Sequence, residues 1–364
     1  MHIIEFMGPS QDLYWGMTSI QFFFMIQVSA ACSALAAAQR AFGIKALEPY
    51  ASFGLILGLG LGITAPLNLI LELHQPLRFI SMIYNTHFTS PLSWGVFILL
   101  SYMTVIALFA LVILRQTLQQ RHVSGSGSLA TMIVRSGKTS EKSLRLLAYL
   151  ALVAACCVFL YSSMDLAAVK GRDLWHSSIV PIIFICSAMA ASAGLITLFA
   201  VLTGRKNPEH FKLLRGWMAF FLLLQLFAQV LWFLIAFVFG DSLGRYAFDY
   251  ILSAGFQNFI VLGLGGAILL PMVLLYFSSQ SKAMLLFASV LTLAGAYLVR
   301  WNIIVTGQQI PRSGLEMTPF SADLWSHGGL MQALAPLALW VLLMILVTWT
   351  SPWKQVFGQQ QEGL

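Results

Sequence analysis

Long apolar stretches, broken by short polar connections, set the pattern of this chain. Nine of them are about 20 residues or longer: 15–40, 50–72, 92–114, 145–165, 177–203, 211–239, 254–277, 283–305 and 328–350. A helix of about 20 apolar residues crosses about 30 Å of hydrocarbon. Strands of alternating polarity, the mark of a membrane barrel, are absent from the sequence. The pattern therefore predicts an all-α polytopic membrane protein of nine transmembrane helices. The first stretch is too long, and lacks the basic start, for a cleaved signal peptide, so it is expected to be retained.

Composition agrees with this architecture. Of 364 residues, 59% are hydrophobic and 9% charged, against about a quarter charged in soluble domains. Numbering the connections alternately places 14 of the 20 Lys and Arg residues on the side opposite the N-terminus. The other side carries Arg78, Lys170, Arg172, Arg245, Arg300 and Arg312. The positive-inside rule then puts the N-terminus outside and the C-terminus in the cytoplasm. The net charge of +7 reads as a topology signal, and no basic soluble domain exists to engage nucleic acid. Nine of the thirteen acids and five of the seven histidines fall on the outer side, where proton exchange near neutral pH would concentrate. The longest cytoplasmic loop, rich in Gly, Ser and basic residues, suits a flexible segment beside anionic lipid.

Cys32, Cys156, Cys157 and Cys186 all lie within spans, and none forms a CxxC pair. Neither an iron–sulfur cluster nor a structural zinc is expected, and the cysteines read as small buried packing residues. A b-type haem needs paired intramembrane histidines. Only His74 and His176, both at outer ends, offer such a pair.

Polar residues inside the spans are costly and call for a reason. Thr64, Asn68 and Glu72 recur at i, i+4 and i+8 on one face of the second span, with Pro66 among them and His74 just beyond. On the fourth span Tyr161 and Asp165 are i, i+4 near the outer end. On the first, Gln21 sits about 9 Å in from Trp15. Three antiparallel helices thus bring polar groups to one depth. Glu72 and Asp165 also fit as markers of helix ends, and Tyr161 as part of an aromatic belt. Gln225 and Gln229, at mid-depth on the sixth span, read as interhelical hydrogen-bond glue. A quinone, with an apolar body and two carbonyls, needs hydrogen-bond donors and groups that exchange protons. Tyr, His and carboxylates at the edge of the hydrocarbon meet that need.

The run "GITAPLNLILELHQPLRFISMIYNTHFTSPLSWGVF" resembles the second-to-third helix signature of the NrfD/PsrC family of integral membrane subunits. In that family an acid ends helix two, a Pro-x-Arg-Phe turn follows, and Ser-Pro-x-Ser-Trp-Gly begins helix three. Here these are Glu72, then Pro76, Arg78 and Phe79, then Ser90, Pro91, Ser93, Trp94 and Gly95. "DLWHSSIVPIIFICSAMAASAG" is similar to the family's entry into helix five, and "LVRWNIIVTGQ" to its helix-eight ending. The opening "PSQDLYWGMTSIQFFFMIQVSAACSALAA" resembles the tetrathionate-reductase type of the family.

The resemblance implies two four-helix bundles plus an extra C-terminal helix: 1–165 with a quinone site, 166–306, and 307–364. It implies a quinone or menaquinone substrate, met near the outer face by Tyr161, Asp165 and Glu72. His74 would supply the imidazole that relatives carry near the start of helix one, where this chain has Tyr14, Trp15 and Gly16, with Gln21 further on. Asn68 completes the expected quinone-binding set. Arg78, His176 and Arg300 are expected at the interface with partners. Those partners would be a ferredoxin-like iron–sulfur subunit and a molybdopterin catalytic subunit, on the outer face of a bacterial cytoplasmic membrane. The resemblance implies no haem, metal or iron–sulfur cluster in this chain itself. A secondary transporter and a structural anchor without a working site are the competing readings.

Overall fold

A computed structural model describes residues 15–73, 75–86, 91–120, 140–169, 171–172, 174–202, 208–239, 242–278, 281–310, 320, 324–325 and 329–350. Tyr14 and His74 lie outside the described residues.

Among the described residues nine helices are long and apolar enough to cross a membrane. We label them α1 (Met17–Phe42), α2 (Glu48–Glu72), α3 (Pro91–Gln120), α4 (Glu141–Ala167), α5 (Ile179–Leu202), α6 (Pro208–Phe239), α7 (Gln257–Phe277), α8 (Lys282–Gln309) and α9 (Leu330–Thr350). Short helices at Pro76–Ile80 and Ser81–Tyr84 join α2 to α3. No strand occurs among the described residues. The chain is a multi-pass integral membrane protein.

The large side chains on the outside are themselves apolar: Leu100 and Leu108 on α3, Leu146 and Leu160 on α4, Phe220 and Phe227 on α6. A surface of this kind is stable against lipid and not against water. The polar side chains of α1 point the other way. Thr18, Ser19, Gln21, Gln27, Ser29, Ser33 and Gln39 are all buried, because α1 runs through the middle of the assembly. It packs on α2 and α4 and also touches α5, α8 and α9. On α2, Gly58 and Gly62 face it; a Cβ on Gly58 would stand 3.0 Å from the Ser29 carbonyl oxygen. That close approach lets Ser29 Oγ donate to Gly58 O at 2.6 Å and meet Tyr102 Oη of α3 at 2.7 Å. Small residues allow backbones in lipid to come together in this way.

Two details depart from the sequence expectation. Most of α7 is a π-helix, Gln257–Leu269, which runs into α-helix at Leu270. There Asn302 Nδ2 of α8 donates to Asn258 O at 2.8 Å, and Gly295 of α8 lies against Ala267. Cys156 and Cys157 are exposed on α4, whereas Cys32 and Cys186 are buried. The packing role assigned to all four therefore holds for two. The α4 face carrying Cys156 and Cys157 also carries exposed Val153 and Leu160, so small residues there meet the surroundings instead of another helix.

Candidate functional site

α1 begins at Met17 with no acid in its first turn and no side-chain cap of its own. The cap comes from α2. Glu72 Oε1 accepts the backbone N–H of Gly16 at 2.9 Å, placing a carboxylate at the positive end of the α1 dipole. One turn deeper, Asn68 is fully buried, its Nδ2 donating to Ala65 O at 3.1 Å and to Met25 Sδ at 3.5 Å. Its Oδ1, and Thr18 Oγ1 on α1, are buried and have no hydrogen-bond partner among the described residues. Buried polar atoms of this kind cost free energy until a partner arrives. α2 continues through Pro66, and Thr64 Oγ1 donates back to Gly60 O at 3.0 Å.

Tyr161 and Asp165 lie near the end of α4, both half-buried. The Tyr161 ring lies directly over Gly95 of α3: a Cβ there would be 2.0 Å from Tyr161 Oη. The glycine of Ser-Trp-Gly thus makes room for the tyrosine. Gln21 is buried on α1.

A second layer pins this end. Gln308, at the foot of α8, grips the main chain of Trp15 twice: its Oε1 accepts from Trp15 N at 3.0 Å, and its Nε2 donates to Trp15 O at 2.9 Å. The Trp15 indole stacks on Trp175 at 5.2 Å and 23°. Trp175 Nε1 donates to Ile303 O at 2.8 Å, its ring lying over Gly307, where a Cβ would be 2.0 Å from Nε1. Arg172 Nη1 donates to the carbonyls of Gly307, Gln308 and Ile310 at 2.5 to 3.1 Å, a cation on the negative end of α8. The connection between α4 and α5 is therefore a strap across the end of α8.

Of the residues expected at a partner interface, Arg78 and His176 are exposed, and His176 Nδ1 is 2.6 Å from Ala167 O at the end of α4. Arg300 is not on the surface. It is fully buried, because α8 runs on to Gln309 and carries Arg300 more than two turns inside. Its Nη1 donates to Ser187 Oγ at 3.0 Å and to Ala296 O at 2.6 Å, its Nη2 to Phe184 O at 3.1 Å and to Gln27 Oε1. The guanidinium packs on the Phe184 and Phe24 rings at 5.0 and 6.0 Å. Gln27 in turn donates through Nε2 to Ser162 Oγ at 2.9 Å and Ser163 Oγ at 3.0 Å. This buried network joins α1, α4, α5 and α8, and the sequence reading missed Gln27, Ser162, Ser163 and Ser187. Gln225 and Gln229 are buried as expected, yet Gln225 Nε2 and Gln229 Oε1 bond to nothing among the described residues. No group of three His, Cys, Asp or Glu side chains converges to hold a metal among the described residues.

Comparison with known proteins bears on this arrangement. The chain is 26% identical over 354 residues to a tetrathionate reductase subunit of Salmonella typhimurium, covering 95% of this chain and 94% of that one. It is 26% identical over 322 residues to protein NrfD of Escherichia coli, covering 82% and 96%. It is 24% identical over 328 residues to the Hdr-like menaquinol oxidoreductase integral membrane subunit of Archaeoglobus fulgidus, covering 86% and 76%. The family model described as "Polysulphide reductase, NrfD" matches residues 5–312. That match takes in the acid at the end of α2, the Tyr161–Gly95 packing and the strap over α8, and the chain belongs to the NrfD family of polysulphide-reductase-type membrane proteins.

Proposed function

We propose that this chain is the membrane anchor and quinone/quinol-reactive subunit of a respiratory oxidoreductase complex. Its site lies among the first four spans, at the end where α1 begins. The observation that carries this is the buried polar group at that end of an otherwise apolar bundle. Asn68 Oδ1 and Thr18 Oγ1 have no partner there among the described residues, with Glu72 close by on α2. A quinol hydroxyl can donate to Asn68 Oδ1, and a ring oxygen of quinone or quinol can accept from Thr18 Oγ1, while Trp15 and Phe23 supply apolar wall. One relative is by name a menaquinol oxidoreductase membrane subunit, and another is by name a tetrathionate reductase subunit, which supports a multi-subunit reductase here.

On this reading Tyr161 donates a hydrogen bond to one ring oxygen. Glu72 and Asp165 take protons from a quinol, or return them to a quinone, each as general acid or base. The electrons pass between the quinone and the nearest iron–sulfur cluster of a ferredoxin-like partner, which delivers them to, or takes them from, a molybdopterin subunit. Both partners sit on the outer face of a bacterial cytoplasmic membrane, against the surface holding Arg78 and His176. The spans run without an unwound mid-membrane break among the described residues, whereas a transporter of the alternating-access type builds its site on one.

The test is quinol-coupled electron transfer in the assembled complex beside artificial-dye activity of the catalytic subunit. Tyr161→Phe, Asp165→Asn and Glu72→Gln should each lower the first by tenfold or more and leave the second intact. Full quinol activity in both Tyr161→Phe and Asp165→Asn would place the site elsewhere. Failure of the purified complex to bind any quinol analogue would leave a structural anchor.

A further inference from the structure

Arg300 is a full positive charge in the dry centre of the molecule, and its hydrogen-bond acceptors among the described residues are all neutral. An arginine stays protonated even when buried. A charge placed there without a counter-ion is expensive, and a well-packed apolar residue would cost less. The cradle around it holds both terminal nitrogens, with two backbone carbonyls, a serine hydroxyl, an amide oxygen and two aromatic faces, while Nε has no partner among the described residues. Such a site holds a cation in place without cancelling it. Its field is therefore available to whatever lies near.

Gln27 carries the connection outward. Its oxygen accepts from Arg300 and its nitrogen donates to Ser162 and Ser163. Those serines directly follow Tyr161 and lie within one turn of Asp165. Gln27 lies nine residues along α1 from Thr18, so at about 1.5 Å of rise per residue the guanidinium stands on the order of 13 Å from the proposed quinone headgroup. A unit charge at that distance, across an interior of effective dielectric about 20, changes an equilibrium roughly tenfold. The other charges at this end do not do the same work. Glu72 and Asp165 are carboxylates, Arg172 is engaged by the last carbonyls of α8, and Arg78 is exposed.

We infer that Arg300, held by Gln27 and Ser187, is a specificity-determining positioning residue that lets the quinone site accept the anionic form of a quinone ring. This rests on the quinone reading above. The fixed cation offsets the site's two carboxylates, so an anionic ring enters at little penalty. Without it, the same ring would meet two acids in an apolar pocket and be excluded.

The test is equilibrium binding of two naphthoquinones to the purified, assembled complex: uncharged 2-methyl-1,4-naphthoquinone, and 2-hydroxy-1,4-naphthoquinone, which is an anion at neutral pH. In the unaltered complex both should bind with affinities within about tenfold of each other. Arg300→Gln should weaken the anion tenfold or more relative to the neutral ring, and Arg300→Lys should restore most of the ratio. Gln27→Glu sets a carboxylate against the guanidinium and keeps the shape, so it should reproduce the loss with Arg300 in place. A purely structural arginine would leave the ratio unchanged in every variant that assembles, and that result overturns the inference. An unaltered complex that binds the neutral ring and rejects the anion overturns it too, without recourse to any variant. Binding of neither ring is a different failure: it removes the quinone site itself.

Discussion

The Tyr161 ring occupies the space that a side chain on Gly95 would fill, its hydroxyl oxygen 2.0 Å from where a Cβ would stand. Gly95→Ala should therefore displace the tyrosine or force α3 away from α4. Overpacking of this kind costs about 1–3 kcal/mol. The expected outcome is a complex that assembles with reduced melting temperature and loses quinol activity as Tyr161→Phe does. Wild-type quinol activity in Gly95→Ala would show that the position of Tyr161 does not matter to turnover.

Gln308 holds Trp15 by both main-chain groups. Gln308→Leu removes both bonds and leaves a backbone N–H and C=O without their partner, at about 1–3 kcal/mol for each buried group left unmade. The start of α1 should loosen, exposing Trp15 and Trp175. A red shift in tryptophan emission, with weaker binding of quinol analogues, is the expected result. Unchanged emission and affinity would mean that the strap and the Glu72 contact hold α1 unaided.

The expected orientation rests on the charge asymmetry of 14 to 6 in Lys and Arg across the two sides. A reporter fused after Gly125 should read cytoplasmic, and one fused near Asp173 external. The opposite result at both positions would move the candidate site to the inner face.

The purified protein should show no haem absorbance and no bound iron, since neither paired intramembrane histidines nor a CxxC pair occurs in its sequence. A stoichiometric b-haem spectrum that disappears in His74→Ala would defeat this.

The nine spans were legible because apolar runs of membrane length have few other uses. The face Thr64–Asn68–Glu72 was legible too, since a period of four residues on a helix needs no tertiary knowledge. What escaped depends on distant contacts. Nothing local to Gln27 indicates that it meets residues 135 and 273 positions away. Arg300 misled for a simpler reason. Ending the eighth span at 305 put the arginine within reach of the interface, whereas the helix continues to Gln309. The polar run Asn302, Thr306, Gln308 looks like a helix leaving the membrane, yet all three side chains are buried against neighbouring helices. The π-helical stretch of α7 had no signal beyond its glycines.

The central course of α1 has a consequence for biogenesis. The first of the nine spans to be synthesised is the one most completely enclosed at the end, and it buries several polar side chains among its apolar ones. While it waits in the bilayer its glutamines and serines face lipid, at a cost in free energy. α2, next out of the ribosome, is its most extensive partner and relieves part of this by pairing at once. Further relief comes only when α8 arrives, bringing Arg300 to Gln27 and Gln308 to Trp15. Membrane quality control thus has a long interval in which to recognise a chain truncated before α8, and such chains should be degraded rather than retained as a stable first half.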